Sequence, residues 1–325
     1  MQHLRKTRTP IRSKENTVNY MTWLQSSWLC LALSLQPPTI AQEFDFSQSL
    51  KRAKTVIFLG DSITYSGDYI ARLDAWLELQ DWPQKPDLLN LGLPSETLSG
   101  LSEKGHAGGK FPRPVLSERL ERVITSTQPD LIIACYGINC GIYQPLDQER
   151  FQKFQQGVLG LVNAAKSVDA ELILMTPPTF DDLRSPRDFS YDEVMGEYSD
   201  WLITTGRQQK WQVIDLHGPM LAELQKLRKQ TPPATMQPDG VHPNALGHQF
   251  IAQQLIRQLT PKANLQPPNR INEVLPLVKK RQDLRRNAWL SHTGHQRPGL
   301  PQGKPLDDAK SEADLITQKI SRLAQ

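Results

Sequence analysis

The sequence predicts an α/β protein built on an open, mostly parallel, doubly wound sheet. Short apolar runs recur between residues 55 and 260, amphipathic helical patterns separate them, and polar residues follow several of the runs directly. Strand–helix alternation of this kind produces a parallel sheet covered by helices on both faces. Ligands of such sheets bind outside the carboxyl ends of the strands, so the polar residues there are the first candidates for a site.

Five apolar runs predict the strands of this sheet. Each is short and almost free of charge, which is typical of parallel strands that are buried on both faces. The runs lie at residues 55–59, 88–91, 131–135, 172–175 and 213–216.

Helical patterns fill the intervals between these strands. In the first of them, Ile70, Leu73 and Leu77 repeat at the spacing of one helix face. Similar periodicity predicts helices over residues 68–80, 115–126, 149–167, 191–209 and 245–259.

Charge is distributed unevenly along the 325 residues. The chain carries a net charge of +4, yet residues 55–261 hold 18 Lys and Arg against 25 Asp and Glu. The basic residues therefore belong to the two ends, and the central region gives no indication of a nucleic-acid partner. The length suits one sizeable α/β domain with appendages, or two small domains.

The N-terminal residues 1–41 resemble a signal peptide. A basic lead is followed by the apolar run 23–35 and by small residues before a cleavage point after Ala41. The run is too short to span a membrane comfortably, so we expect export to the periplasm or beyond without stable membrane insertion. A disordered basic leader, or a true start at Met21 rather than Met1, remain the alternatives.

The pattern changes after residue 262. We assign residues 50–262 to the α/β domain and residues 263–325 to a C-terminal extension. The extension contains a basic, mainly helical stretch over 271–290 that we expect Pro276 to interrupt, a Pro- and Gly-rich segment over 295–306, and a helical charge pattern at the end. Its basic helix is typical of a solvated face, or of a contact with an anionic polysaccharide or membrane surface.

Polar residues at the predicted strand ends suggest acyl-transfer chemistry. Ser62 follows the first strand, and a serine hydroxyl needs a base before it can act as a nucleophile. His242, near the start of the last helix, has the pKa range for that task, and Asp239 lies three residues before it on the same loop. An acid in that position could orient the imidazole.

The same edge of the sheet offers donors for a developing oxyanion. They are the backbone amides of Ser62 and Gly92 and the side-chain amide of Asn139, which follow the first, second and third strands. Asp61, next to the serine, is expected to cap the following helix or to brace the site rather than to orient His242.

These four blocks resemble the SGNH/GDSL hydrolase superfamily, over roughly residues 54–260. The resemblance implies a flavodoxin-like three-layer α/β/α fold and ester hydrolysis without cofactor or metal. It implies a catalytic triad of Ser62, Asp239 and His242, with Ser62, Gly92 and Asn139 as the oxyanion hole. One departure is Cys140, because an Asp usually follows the Asn of the third block. We interpret Cys140 and Cys135 as buried unpaired thiols, although a disulfide between them is possible.

The resemblance implies a serine esterase that acts on a small-molecule or carbohydrate ester. We expect a short acyl group, acetyl above all, on a carbohydrate. A GDSL-type lipase, lysophospholipase or thioesterase is the alternative. A different class, motivated by Cys140, is a non-catalytic carbohydrate-binding protein on a hydrolase scaffold. The sequence leaves the oligomeric state open.

Overall fold

A five-stranded sheet forms the centre of the protein. The computed structural model describes residues 45–259 and 269–324. Within them the strands pair in the order β2-β1-β3-β4-β5, and every pair is parallel. This confirms the predicted open, doubly wound sheet, and the order reverses between β1 and β3, where such sheets bind ligands. The strands are β1 (Thr55–Gly60), β2 (Asp87–Asn90), β3 (Leu131–Cys135), β4 (Glu171–Met175) and β5 (Gln212–Ile214).

The middle of the sheet is apolar because helices cover it. Val56 to Leu59 of β1 are fully buried, and Phe58 lies in register with Ile133 of β3. The α-helices are α1 (Phe46–Arg52), α2 (Ser62–Ser66), α3 (Asp68–Glu78), α4 (Leu120–Thr127), α5 (Gln148–Ser167), α6 (Tyr191–Gln209), α7 (His217–Gln230), α8 (Ala245–Leu259), α9 (Ile271–Thr293) and α10 (Leu306–Ala324).

Three helices, α1, α2 and α7, lie outside the helical ranges predicted from the sequence. In α7 the buried side chains of Met220 and Leu224, with Leu227 beside them, have the i, i+4, i+7 spacing of a helix face. Pro219 lies in the first turn, where its missing N–H leaves no intrahelical hydrogen bond unmade. The signal for α7 was therefore present in the sequence.

The expected interruption at Pro276 is wrong, since α9 runs through that residue without a break. Proline inside a helix removes one hydrogen bond and costs about 3 kcal/mol. Tertiary packing outweighs this cost. Val274 and Val278, on either side of Pro276, are fully buried in a cluster with Ile316 and Ile320 of α10.

The C-terminal extension packs on the α/β core. Ala71 and Ala75 of α3 complete the same apolar cluster. Next to it, the guanidinium of Arg281 pairs with the carboxylates of Asp74 and Glu78 over 2.8 and 2.7 Å. Helix α9 thus docks on α3 through apolar side chains and a buried ion pair.

Some of the sequence predictions fall outside the described residues. The proposed signal peptide lies there, and so does the domain boundary at residue 262. In the described part of the chain, no helix combines the length and the apolar character that crossing a membrane requires.

Candidate active site

Ser62 is placed by the junction of β1 and α2. The strand ends at Gly60, and the side chain of Asp61 caps the next helix by accepting a hydrogen bond from the amide of Ile63 over 3.0 Å. Ser62 is therefore the first residue of α2, beside the point where the strand order reverses. At this position a backbone N–H has no acceptor within its own helix, so it is free to donate outwards.

His242 lies within hydrogen-bonding distance of this serine. Its Nε2 is 2.8 Å from Ser62 Oγ, and its Nδ1 is 2.6 Å from Asp239 Oδ2. A carboxylate can only accept, so Nδ1 carries the proton and Nε2 is left to accept from the hydroxyl. The side chains of Asp239 and His242 remain about half exposed, which leaves the site open to a bulky substrate.

The turn between Asp239 and His242 holds the carboxylate in place. Asp239 Oδ1 accepts hydrogen bonds from the amides of Val241 and His242 over 2.9 and 2.7 Å. Partial burial alone would raise the pKa of Asp239, but the hydrogen bonds from His242 and Val241 outweigh it and lower that pKa. Asp239 thus stays ionised and keeps the proton of the His242 ring on Nδ1.

A buried carboxylate anchors this turn to the rest of the protein. Asp181 accepts hydrogen bonds from Arg228 and Thr235, both over 2.5 Å, and its amide donates to the carbonyl of Gly240 over 2.9 Å. Gly240 has φ +89°, and a Cβ there would lie 2.6 Å from that of Ser185. Only glycine fits this turn without strain.

Asn139 is held by hydrogen bonds to its side-chain amide. Its Oδ1 accepts hydrogen bonds from Arg113 Nη1 over 2.8 Å and from the hydroxyl of Tyr143 over 3.0 Å. Arg113 is itself fixed by two hydrogen bonds to Glu103, of 2.7 and 2.6 Å. With its oxygen engaged, Asn139 can offer only its NH₂ group, which makes one long contact of 3.4 Å with the carbonyl of Glu96.

The amide of Gly92 already has an acceptor. It donates to Asn90 Oδ1 over 3.0 Å, while Asn90 Nδ2 donates to the carbonyls of Thr64 and Tyr65 at the end of α2. A Cβ on Gly92 would lie 2.4 Å from the amide nitrogen of Tyr65. The structure therefore places Gly92 against α2, with its N–H shared with Asn90.

A buried ion pair supports the segment that follows Gly92. Glu96 and Arg119 are both fully buried and share two hydrogen bonds, of 2.6 and 2.7 Å. Arg119 also donates to the carbonyl of Leu91, and the hydroxyl of Tyr136 donates to Glu96. This network ties the segment after β2 to the end of β3.

Cys140 takes part in packing and in one backbone contact. It is fully buried, and its Sγ accepts from the amide of Leu98 over 3.3 Å. Burial raises the pKa of the Cys140 thiol to about 11, so it stays protonated and unreactive near neutral pH. Cys135 is also buried, and neither cysteine forms a disulfide.

Asp61, next to Ser62, is a buried acid. Burial raises its pKa to about 6, while the amide of Ile63 and the charge of His242 oppose that rise. The described residues contain no group of three or more His, Cys, Asp or Glu side chains that could hold a metal ion.

A sequence profile of the GDSL-like lipase/acylhydrolase family matches residues 58–250, more than half of the chain. The chain belongs to this family. It is accordingly an enzyme that hydrolyses ester bonds. The match contains all four blocks described above, from Ser62 to His242.

Solved structures with TM-scores above 0.5 share the fold of this family member. LAE5, an α/β hydrolase from the metagenome of Lake Arreo in Spain, is 22% identical with a TM-score of 0.52, covering 66% of this chain and 100% of its own. The acetyl xylan esterase AlAXEase is 20% identical with a TM-score of 0.51, covering 62% and 98%. BT4096, a gut microbial diltiazem-metabolizing enzyme, is 18% identical with a TM-score of 0.47, and this chain covers only 46% of its length. Curated protein sequences gave no match.

The structure brings Ser62, His242 and Asp239 into one hydrogen-bonded series, whereas the contacts of Asn139 and Gly92 are with Arg113, Tyr143, Glu96 and Asn90. Sequence reasoning missed the residues that hold these groups, above all Arg113 and Asp181. Arg113 lies 26 residues before Asn139 in the sequence, and no local spacing connects the two. The roles assigned to the five site residues remain predictions.

Proposed function

We propose that the protein hydrolyses carboxylic esters through an acyl-enzyme formed on Ser62, with His242 as base and acid and Asp239 as its orienting partner. The observation that carries this proposal is the pair of short contacts at His242, 2.8 Å to Ser62 Oγ and 2.6 Å to Asp239 Oδ2. A serine is activated when its base is itself held in one tautomer by a third group.

The steps follow from the atoms present. Ser62 Oγ attacks the ester carbonyl as its proton passes to His242 Nε2. The imidazolium then donates that proton to the leaving alkoxide, and the acyl group stays on Ser62. A water molecule, deprotonated by His242, then attacks the acyl carbonyl. The bond from the acyl carbon to Ser62 Oγ breaks, Oγ takes the proton back from His242, and the carboxylic acid leaves. The amide of Ser62 and the NH₂ group of Asn139 stabilise the oxyanion in both halves of the reaction. The N–H of Gly92 contributes to the oxyanion hole when it donates to the oxyanion in addition to, or in place of, Asn90 Oδ1.

We infer that the preferred substrate is a short acyl group, such as acetyl, on a carbohydrate outside the cytoplasm. The half-exposed Asp239 and His242 support this inference because an open site admits a large alcohol part. An acetyl xylan esterase that shares the fold is consistent with it. The basic and apolar leader over residues 1–41 supports export to the place where polysaccharides are found.

A serine-directed probe and a chain-length series test the proposal. The full chain is treated with a fluorophosphonate, and the modified residue is identified by mass spectrometry. Hydrolysis of p-nitrophenyl acetate, butyrate and octanoate and acetate release from acetylated xylo-oligosaccharides are measured beside Ser62→Ala. We expect labelling of Ser62, serine-dependent turnover and a preference for acetyl. Turnover that survives in Ser62→Ala would overturn the mechanism, and a preference for octanoate would overturn the substrate.

A further inference from the structure

The helix that carries Ser62 is too short to hold its own carboxyl end. Helix α2 spans five residues, Ser62–Ser66, and so short a helix is only marginally stable by itself. The last carbonyls of a helix have no N–H donor within it, so other groups must supply one. The orientation of α2, and of the serine at its start, therefore depends on the groups that bind these carbonyls.

The α/β domain supplies donors for two of these carbonyls. The hydroxyl of Ser66 donates to the carbonyl of Ile63 over 2.8 Å. Asn90, at the end of β2, donates from Nδ2 to the carbonyl of Thr64 over 2.8 Å and, at a longer 3.3 Å, to that of Tyr65. The domain itself thus holds the carbonyl of Tyr65 only by the longest of these contacts.

The C-terminal extension binds this third carbonyl. Arg286 of α9 donates from Nη1 to the carbonyl of Tyr65 over 2.8 Å, and its guanidinium lies over the Tyr65 ring, 4.1 Å from the centroid. Arg286 is buried, and Asp283 and Asn287 of the same helix also accept hydrogen bonds from it. A hydrogen bond from a charged donor is stronger than one from a neutral amide, so Arg286 is the principal partner of this carbonyl.

Helix α9 holds Arg286 in this position because it also binds β2. Four residues before Arg286, Gln282 is buried and donates from Nε2 to the carbonyl of Leu88 over 3.1 Å and to Asp74 over 2.6 Å. Residues four apart lie on one face of a helix, so a single face of α9 contacts both β2 and α2. Leu88 lies two residues before Asn90, which binds the same end of α2.

These contacts continue to a proposed oxyanion donor. Asn90 Oδ1 accepts from the amide of Gly92 over 3.0 Å, while its Nδ2 shares the carbonyl of Tyr65 with Arg286. Without Arg286, that carbonyl keeps only the 3.3 Å contact with Asn90. A partly buried carbonyl that loses its main donor costs free energy, so the end of α2 or the side chain of Asn90 would shift to recover one.

We propose that Arg286 is a positioning residue of the active site, which holds the carboxyl end of α2 so that Ser62 Oγ stays within reach of His242 Nε2. This inference rests on the proposed function, since it concerns the same serine. Arg286 acts through Tyr65 and lies outside residues 58–250, the part of the chain that the family profile matches. The extension thereby orients the nucleophile of a domain to which it does not belong.

The test compares two neighbouring arginines of α9 in the full-length protein. Arg285 is the matched control, because it pairs with Asp87 at the start of β2 and not with α2. The rate of Ser62 labelling by a fluorophosphonate and the kcat and KM for p-nitrophenyl acetate are measured in Arg286→Met, Arg286→Lys and Arg285→Met. Each rate is divided by the fraction of protein that the probe finally labels, which removes any contribution from unfolded protein.

We expect Arg286→Met to lower kcat and the labelling rate by about 10- to 100-fold with KM within about twofold, since a misplacement of about 1 Å can cost about 100-fold. Arg286→Lys should lose about 3- to 10-fold, because lysine keeps the charge but not the planar group that stacks on Tyr65. Arg285→Met should match the parent within about twofold. Hydrogen exchange of the peptide that contains α2 should become faster in Arg286→Met and not in Arg285→Met.

Three results would overturn this role of Arg286. One is a parent-like labelling rate and kcat in either folded Arg286 variant. The second is a change in KM alone, which would place Arg286 in substrate binding. The third is an equal loss in Arg285→Met, which would mean that α9 acts only by docking on the domain. A parent protein in which Ser62 is never labelled is a different result, since it removes the proposed function and this inference with it.

Discussion

Arg113 donates a hydrogen bond from Nη1 to Oδ1 of Asn139 over 2.8 Å, and both side chains are buried. This contact settles which end of the Asn139 amide is free, because the oxygen is occupied and only NH₂ remains to donate. The family departure at Cys140 removes an acid from the loop after β3, yet Tyr143 within that loop and Arg113 from outside it still hold the asparagine.

Arg113→Met should lower turnover because Asn139 loses the side chain that positions it. Without Arg113, Asn139 can rotate, and one oxyanion donor is worth roughly 10²–10³ in rate when lost completely. We expect kcat to fall about 10- to 100-fold with little change in KM, since the donor acts in the transition state. In the double variant Arg113→Met/Asn139→Ala the two effects should not multiply, because they remove the same interaction. Full multiplication of the two losses would show that Arg113 acts independently of Asn139.

Two serines of α2 lie beside histidines, and only one should matter for turnover. Ser62 Oγ is 2.8 Å from His242, whereas Ser66 Oγ is 3.1 Å from His248. Ser62→Ala should reduce kcat by at least about 10⁴-fold while the melting temperature stays close to that of the parent. Ser66→Ala, the matched control, should retain hydrolysis of p-nitrophenyl acetate. Comparable losses in both variants would indicate damage to α2 instead of a lost nucleophile.

Asp61→Asn should reveal a pH-dependent stability. The folded-state pKa of Asp61, about 6, lies above the ordinary value of 3.8, so the folded protein binds the proton more tightly than the unfolded chain. The contribution of this proton binding to the free energy of unfolding is fully present below pH 3.8, and it is lost as the pH rises through about 6. Relative to wild type, the free energy of unfolding of Asp61→Asn should be higher by up to about 3 kcal/mol at pH 8 and almost unchanged near pH 4. Urea unfolding of both proteins from pH 4 to 8 measures the difference in unfolding free energy. A difference that does not change with pH would show that folding does not raise the pKa of Asp61.

Gly92→Ala should destabilise the fold and the site together. The new Cβ would lie 2.4 Å from the amide nitrogen of Tyr65, against the backbone of α2. Overpacking of this kind costs about 1–3 kcal/mol or more. Gly160→Ala is the control, because that helical position has nothing within 4 Å of the added Cβ. The free energy of unfolding of Gly160→Ala should instead rise by about 0.5–1 kcal/mol, because alanine has a higher helix propensity than glycine. Equal effects in chemical denaturation would mean that Gly92 does not pack against α2.

Arg281→Ala should loosen the C-terminal extension from α3. The substitution leaves Asp74 and Glu78 without their guanidinium partner, both in nearly buried positions. Removing one member of a buried ion pair typically costs about 3–5 kcal/mol. Lys319→Ala on the exposed side of α10 should change the unfolding free energy by less than about 0.5 kcal/mol. Urea unfolding compares the two, and a small loss for Arg281→Ala would show that apolar packing alone docks α9.

Local patterns in the sequence were sufficient for the sheet and for the series of site residues. Each strand is an apolar run that both faces of the sheet bury, so the run itself carries the signal, as in Leu131–Cys135. Ser62, Gly92 and Asn139 were named from their places after strands, because parallel strands deliver their carboxyl ends to one edge, and His242 from its place before the last helix of the domain. Helix α9 was predicted less well, since Pro276 argued locally against a helix that tertiary packing stabilises.

The way those residues are held follows from tertiary packing. The contacts of Arg113 with Asn139, of Asp181 with the turn before His242, and of Arg286 with Tyr65 join residues 26 to 221 positions apart. These contacts depend on how loops and helices pack. A hydrogen bond between residues far apart in the sequence leaves no periodic pattern in it. Local patterns in the sequence thus predicted the fold class correctly, and the reacting groups named from them stay a prediction. Packing determined their orientation and their exposure.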